Sequence, residues 1–147
     1  MAEPSPILVL NAGSSSLKYR LIVDDHDLRA GIVEHIGEPG GPADHRAALD
    51  SALADLRSGN AGPAGDPWAI GHRVVHGGAE RRAPTVIDDD VLATIDRWTP
   101  LAPAHNPAAL AVIRAARDVF ADIPHVAVFD TAFHATLPEV AFTYAID

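Results

Sequence analysis

The stretch Asn11-Ala12-Gly13-Ser14-Ser15-Ser16-Leu17-Lys18 places three hydroxyls, a carboxamide and an ammonium around a single glycine. A turn of this composition offers backbone N–H groups and Ser donors to an anion, and Lys18 adds a point charge. The Asn11 carbonyl suits a metal-bound water. The stretch is not a Walker A loop, because the G-x-x-x-x-G-K pattern and its following helix are missing. A polar hairpin turn of Ser and Gly accounts for the same residues. A serine nucleophile fits less well, since no G-x-S-x-G elbow is present.

Gly71-His72-Arg73-Val74-Val75-His76-Gly77-Gly78 is a second candidate. On a strand, His72, Val74 and His76 share one face, while Arg73 and Val75 share the other. Arg73 can fork onto a small carboxylate while Val75 touches its alkyl part. Gly77 and Gly78 would let the backbone approach a ligand. The H-x-x-x-H spacing is that of a zinc pair only on a helix, and the glutamate of H-E-x-x-H is absent. An ordinary strand ending in a Gly turn is the simpler alternative.

Two further segments each carry one chemical group. In Leu101-Ala102-Pro103-Ala104-His105-Asn106-Pro107, His105 precedes an expected helix N-terminus, where partial positive charge can face an anion. A surface histidine in a Pro-rich loop is the competing reading. In Val128-Phe129-Asp130-Thr131-Ala132-Phe133-His134, Asp130 follows an expected strand, where α/β sheets place ligand sites. Its carboxylate could orient an arginine, hold a proton or reach a metal, or simply begin a turn.

These groups must be held by elements, and the hydrophobic pattern supplies them. Ile7–Leu10, Leu17–Val23 and Leu28–Glu34 read as strands joined by short connections, an antiparallel meander. After the Gly/Pro break at Gly37–Pro42, Leu49, Ala52, Leu53 and Leu56 recur at helical spacing, with Asp50 and Asp55 facing away. A Gly/Pro loop is expected over Ser58–Pro67, then a strand over Ala69–Val75. Asp88 is a good N-cap for a short helix near Val91–Trp98. Asn106-Pro107 reads as a cap and first helical position. The helix behind it stripes Ala109, Val112, Ile113, Ala116, Val119 and Phe120, and Pro124 ends it before a strand at His125–Phe129. The order βββαβααβ, without repeats, is a mixed α/β domain. Tyr144–Asp147 reads as the start of another ordered segment, so the chain is expected to stop in mid-architecture.

Composition narrows the function classes. The 147 residues are 48% apolar and 21% charged, the balance of a globular domain. Twenty acidic residues against 11 basic ones give a net charge of −9, which disfavours nucleic acid and anionic membrane surfaces as partners. An anionic ligand must therefore be met by a local cluster, and Lys18 is the only lysine. The absence of cysteine removes disulfides, thiolate metal sites and a Cys nucleophile. Ile7–Leu10 is too short for a signal or membrane segment, so a cytoplasmic location is the default expectation.

Taken together, the N-A-G-S-S-S-L-K, G-H-R-V-V-H-G-G, A-P-x-H-N-P and F-D-T-A-F-H strings resemble the acetate kinase family of the acetate and sugar kinase/Hsp70/actin superfamily. The resemblance runs through nearly the whole chain and implies an α/β, RNase H-like domain with a mixed sheet and flanking helices. It implies magnesium-dependent phosphoryl transfer between ATP and acetate or another short-chain carboxylate such as propionate, by a full-length homodimer. Asn11 then matches a magnesium-associated position, Lys18 an ATP-associated one, and Ser14 and Ser16 phosphate-loop hydroxyls. Arg73 matches an arginine on the carboxylate and the transferring phosphoryl group. Val75 matches part of the methyl pocket, His105 a supporting histidine, and Asp130 the active-site aspartate counted as catalytic. Because carboxylates are already ionised at neutral pH, Asp130 is expected mainly to orient Arg73. Ala104 stands where the family has leucine, which implies a roomier alkyl pocket. Residues 1–147 correspond to the N-terminal acyl-substrate and phosphate-loop side. The downstream G-F-H-G-T-S-H segment, second arginine, magnesium glutamate and nucleotide domain are not in this sequence, so these residues are expected to be inactive alone. A non-catalytic anion- or partner-binding module with the same fold is the alternative.

Overall fold

Three strands open the chain in the computed structural model, which describes residues 5–58 and 66–143. β1 (Ile7–Ala12), β2 (Leu17–Val23) and β3 (His26–Val33) form the expected antiparallel meander. Asp24 makes the β2–β3 turn at φ 51°, a left-handed conformation that aspartate tolerates. α1 (His45–Ser58) leads to β4 (Ala69–Val74), which pairs in parallel with β1. A two-residue strand, β5 (Thr85–Val86), precedes α2 (Asp89–Arg97), a short 3-10 turn at Thr99–Leu101 and α3 (Asn106–Val119). β6 (His125–Phe129) pairs in parallel with β4 and antiparallel with β5. Two single-turn helices, α4 (Asp130–Phe133) and α5 (Glu139–Phe142), complete the described residues. The sheet order is β3-β2-β1-β4-β6-β5, the mixed α/β architecture expected.

Strict alternation gives the sheet two unlike faces. Leu8, Leu10, Leu17, Tyr19, Leu21, Ile70, Val74, Ala127 and Phe129 are buried on one of them. Against these strands pack Leu49, Ala52 and Leu53 of α1 and Val112 and Ala116 of α3 in one cluster, with Ile95 of α2 and Ile113 of α3 in an adjoining one. The opposite face carries Val9, Asn11, Lys18, Arg20, Gly71, Arg73 and Val128, paired across neighbouring strands. It is open: Ile7, Ile32, Val86 and Val128 are all exposed.

Several local expectations change on contact with tertiary structure. Asp55 does not face away from the sheet; it accepts from Tyr19 Oη at 2.6 Å and from Arg29 Nε at 2.9 Å. These bonds hold its carboxyl down at about 2, Arg29 contributing most, while burial and then Asp55 push the Tyr19 hydroxyl up to about 12. Tyr19 can lie there because its cross-strand partner is Gly31, where a Cβ would fall 2.2 Å from the Tyr19 oxygen. Asn106 does not cap α3: the N-cap is His105, and Asn106 is a fully buried first helical residue. Val119, on the expected apolar stripe, is exposed where the helix overruns the sheet. Asp88 does cap α2, accepting from Val91 N at 2.9 Å. The loop expected over 58–67 falls mostly outside the described residues, and the segment at 144–147 falls wholly outside them.

Candidate functional site

The C-terminal ends of the three parallel strands β1, β4 and β6 lie side by side, and each delivers one polar side chain there. Arg73, on the open face of β4, donates from Nε to Asp130 Oδ1 at 3.0 Å and from Nη2 to Asp130 Oδ2 at 2.5 Å. Its Nη1 donates to Asn11 Oδ1 at 3.3 Å. Asp130 is the first residue past β6, so the strand pairing fixes its reach toward β4. Bidentate hydrogen bonding to Asp130 also raises the Arg73 pKa above its ordinary value. A guanidinium has more N–H donors than these bonds use. Among the described residues, one donor on each Nη stays free in a plane already fixed by Asn11 and Asp130. Both Arg73 and Asp130 side chains are about 40% exposed, with 40% for the arginine and 43% for the aspartate, so the fork is open to a ligand.

The turn after β1 is closed within itself and tied down from outside. Gly13 N–H donates to Ser16 O at 2.7 Å, closing the turn, and a Cβ at Gly13 would sit 3.0 Å from Ser16 Oγ. His45, at the start of α1, holds the Gly13 carbonyl from Nε2 at 2.7 Å. Ile36 N–H donates to Ser15 O at 3.1 Å. Ser14 is exposed and Ser16 half-buried. Lys18 is directly opposite Asn11 in the β1–β2 ladder and exposed on the same face. Among the described residues nothing pairs with its ammonium. Two groups able to bind oxyanions, the turn and the Arg73 fork, thus flank Asn11.

The other segment, His105, is tied in at one remove. It is exposed and makes no side-chain cap bond. Its neighbour Asn106 accepts from His76 N–H at 3.2 Å and donates to the His76 carbonyl at 3.0 Å, in the manner of a strand partner. The same amide donates to Ile95 O at 3.0 Å. Among the described residues no bond joins His105 to the Arg73 fork. Val75 is half-buried just beyond β4, on the side of the chain opposite His72 and Val74.

Two sequence features resolve into structural roles. Gly77 and Gly78 press against protein: a Cβ would lie 2.5 Å from Phe129 Cδ1 at Gly77 and 2.1 Å from Trp98 Nε1 at Gly78, which also has φ 68°. The H-x-x-x-H pair is split. His76 stacks on Trp98, whereas His72 is buried, stacked on His125 with its Nε2 3.0 Å from His125 Nδ1. Among the described residues no three His, Cys, Asp or Glu side chains are grouped to hold a metal ion. No helix there is long and apolar enough to cross a membrane. His45 lies in none of the sequence motifs, and the motifs that hold Asn106 and Thr131, which accepts from Gly77 N–H at 3.2 Å, do not state these bonds, since each acts on backbone groups far away in sequence.

Known proteins share this arrangement of elements. The model of the Acetokinase family matches residues 6–147. The acetate kinase of Clavibacter michiganensis is 51% identical over 160 residues, covering 96% of this chain and 40% of that protein. The acetate kinase of Streptomyces avermitilis is 48% identical over 166 residues, covering 99% of this chain and 41% of its own length. Among solved structures, Porphyromonas gingivalis acetate kinase superposes with a TM-score of 0.87 at 36% identity, over 97% of this chain and 41% of that one. A Francisella tularensis propionate kinase follows at TM-score 0.78 and 37% identity, again over 97% of this chain and 41% of its own. The chain thus spans about 40% of the length of the curated relatives it matches.

Proposed function

The chain belongs to the acetokinase family, and from that premise we propose that it forms the acyl-substrate and phosphate-loop side of a magnesium-dependent kinase acting between ATP and a short-chain carboxylate, acetate or propionate. The observation that carries the proposal is the Arg73 fork, oriented by Asp130 and Asn11 at the C-terminal ends of three parallel strands. In the transfer, a carboxylate oxygen attacks the γ-phosphorus in line, a new P–O bond forms, and the bond to the ADP oxygen breaks. The products are acyl phosphate and ADP, and no proton has to be removed from the nucleophile. Asp130 therefore serves as the anchor of Arg73 and not as a general base.

Each residue has a part in this scheme. Arg73 spends its free Nη donors on the carboxylate and the transferring phosphoryl oxygens, where charge gathers in the transition state. Val75 lines the alkyl side, and His105 supports the site from the start of α3. Ser14, Ser16 and the backbone of the Gly13 turn receive phosphate oxygens, with Lys18 supplying charge against a chain of net −9. The donor set fits magnesium carried on nucleotide phosphates: Asn11 and Asp130 are hard oxygen donors sharing one guanidinium, and this ion keeps most of its waters. When bound, it would neutralise phosphate charge. Positioning is the protein's main contribution, and the fork is fixed before any ligand arrives.

A chimera tests the proposal. These 147 residues, joined to the remaining length of the Clavibacter michiganensis acetate kinase, should form acetyl phosphate from ATP, acetate and magnesium. Arg73→Ala in the same chimera should lower it by about a hundredfold or more. A folded chimera that binds acetate yet transfers no phosphoryl group would favour the non-catalytic anion-binding alternative.

A further inference from the structure

Beyond the Arg73 fork, a cavity of about 180 Å³ opens where α4 and α5 fold against the turn that follows β4. Its walls divide by chemistry. Arg81, Arg82, His134 and the Thr131 hydroxyl are polar, and Leu137 and Phe142 are apolar. Among the described residues no Asp or Glu lines it, in a protein whose net charge is −9. Neither Arg73, Asn11 nor Lys18 contributes to it.

The two arginines differ in what they have left to give. Arg81 is fixed by Asp90 and by a bond to Thr94 Oγ1 at 3.0 Å. Its Nε is nevertheless buried without a hydrogen-bond partner among the described residues. Buried as it is, that N–H lies out of reach of a molecule in the cavity, so Arg81 forms part of the wall and Arg82 is left to donate. Arg82 is exposed, and among the described residues no carboxylate pairs with it. Across the cavity Leu137 and Phe142 are 43% and 56% exposed, so the apolar wall is itself uncovered.

We propose that this cavity is a second anion site, separate from the Arg73 fork, which takes a small monocarboxylate with its oxygens on Arg82 and its alkyl chain against Leu137 and Phe142. Butyrate, a carboxylate with a short alkyl chain, is the probe. The cavity touches the fork only through adjacency, since Thr131 follows Asp130 and its hydroxyl anchors Gly77. The assignment stands on the cavity's own lining and not on the kinase reading.

The test is an NMR titration of the isotope-labelled 147-residue chain with butyrate, alongside Arg82→Gln, Phe142→Ser and Arg73→Ala variants and a parallel titration with inorganic phosphate. Saturable shifts at Gly78, Thr131, His134 and Leu137 are expected in the wild type and in Arg73→Ala. Arg82→Gln, a change at an exposed position, should weaken butyrate binding by roughly tenfold or more, since it removes a charged donor. Phe142→Ser should weaken butyrate and leave phosphate unchanged. Shifts that vanish with Arg73→Ala and survive Arg82→Gln would place the anion in the fork and overturn the second site, leaving the kinase reading intact. An absence of saturation into the millimolar range would also overturn it. Phosphate binding at Arg82 as tightly as butyrate would overturn the monocarboxylate assignment.

Discussion

Replacing Arg73 by lysine keeps the charge and discards the fork. An ammonium cannot hold Asp130 through two nitrogens, reach Asn11 and still present a flat pair of donors to a ligand. In the chimera, Arg73→Ala is expected to lower kcat by about a hundredfold or more, the usual loss when one donor to the developing charge is removed, and Arg73→Lys should recover little of it. Steady-state rates of acetyl phosphate formation decide this; near-normal turnover in the lysine variant would mean that charge alone is required. At this scale the sequence was informative about Arg73, Asp130, Asn11 and Lys18, because each lies in a dense local pattern of unusual residue types. It was silent on His45, and it marked Asn106 as a helix cap and not as a partner of another strand. Their partners are the Gly13 carbonyl, 32 residues away, and the backbone of His76, 30 residues away. A lone His or Asn carries no local mark of such a bond.

Between elements, the exit of β4 is held by one amide. Asn106→Ala leaves the His76 N–H and the carbonyls of His76 and Ile95 without their side-chain partner at a buried position. A loss of about 2–4 kcal/mol in unfolding free energy is expected, measurable by urea denaturation. Behind the same strand lies the stacked pair His72 and His125. The Phe120 carbonyl, 3.0 Å from His125 Nε2, requires a proton there, so His125 Nδ1 accepts and His72 Nε2–H donates. Burial pushes His72 down from 6.5 to about 3, with His125 adding to the effect, and burial lowers His125 as well. Unfolded, both protonate near the ordinary value; folded, they resist. The stability at stake is whole above about pH 6.5; the His72 part is lost as pH falls toward about 3, at up to about 1.4 kcal/mol per pH unit, and His125 adds to the loss in the same direction. His72→Gln keeps a donor for His125 without the titration, so thermal melts between pH 6.5 and 4 should show a shallower decline than the wild type. The strands and long helices were legible from alternation and helical spacing. β5 was not, because two residues beside Pro84 are too few to show a period.

At the scale of the molecule, helices cover one face of the sheet, and Asn11, Lys18 and Arg73 stand on the other. The cations that meet phosphate charge in the proposed scheme, Arg73 and Lys18, both lie on that open face. Charge in a phosphoryl-transfer transition state has to be met from more than one side. The 147 residues alone are therefore expected to form no acetyl phosphate above background, while the chimera does; turnover by the chain alone within tenfold of the chimera would contradict this. The fold class followed from the order of elements, and the family from four separated strings. The pairing of β4 between β1 and β6 did not follow, since nothing in a strand's own residues states its neighbours.

That pairing has a bearing on how the chain is made. β4 is central in the finished sheet, yet its second neighbour, β6, begins 51 residues after Val74, at His125. Until those residues leave the ribosome, β4 is a bare edge with an unpaired row of backbone groups, the surface on which nascent chains template onto one another. Arg73 stands on that provisional edge. A charged side chain is a common guard against edge-to-edge association, and the guanidinium that meets Asp130 in the finished sheet puts such a charge there.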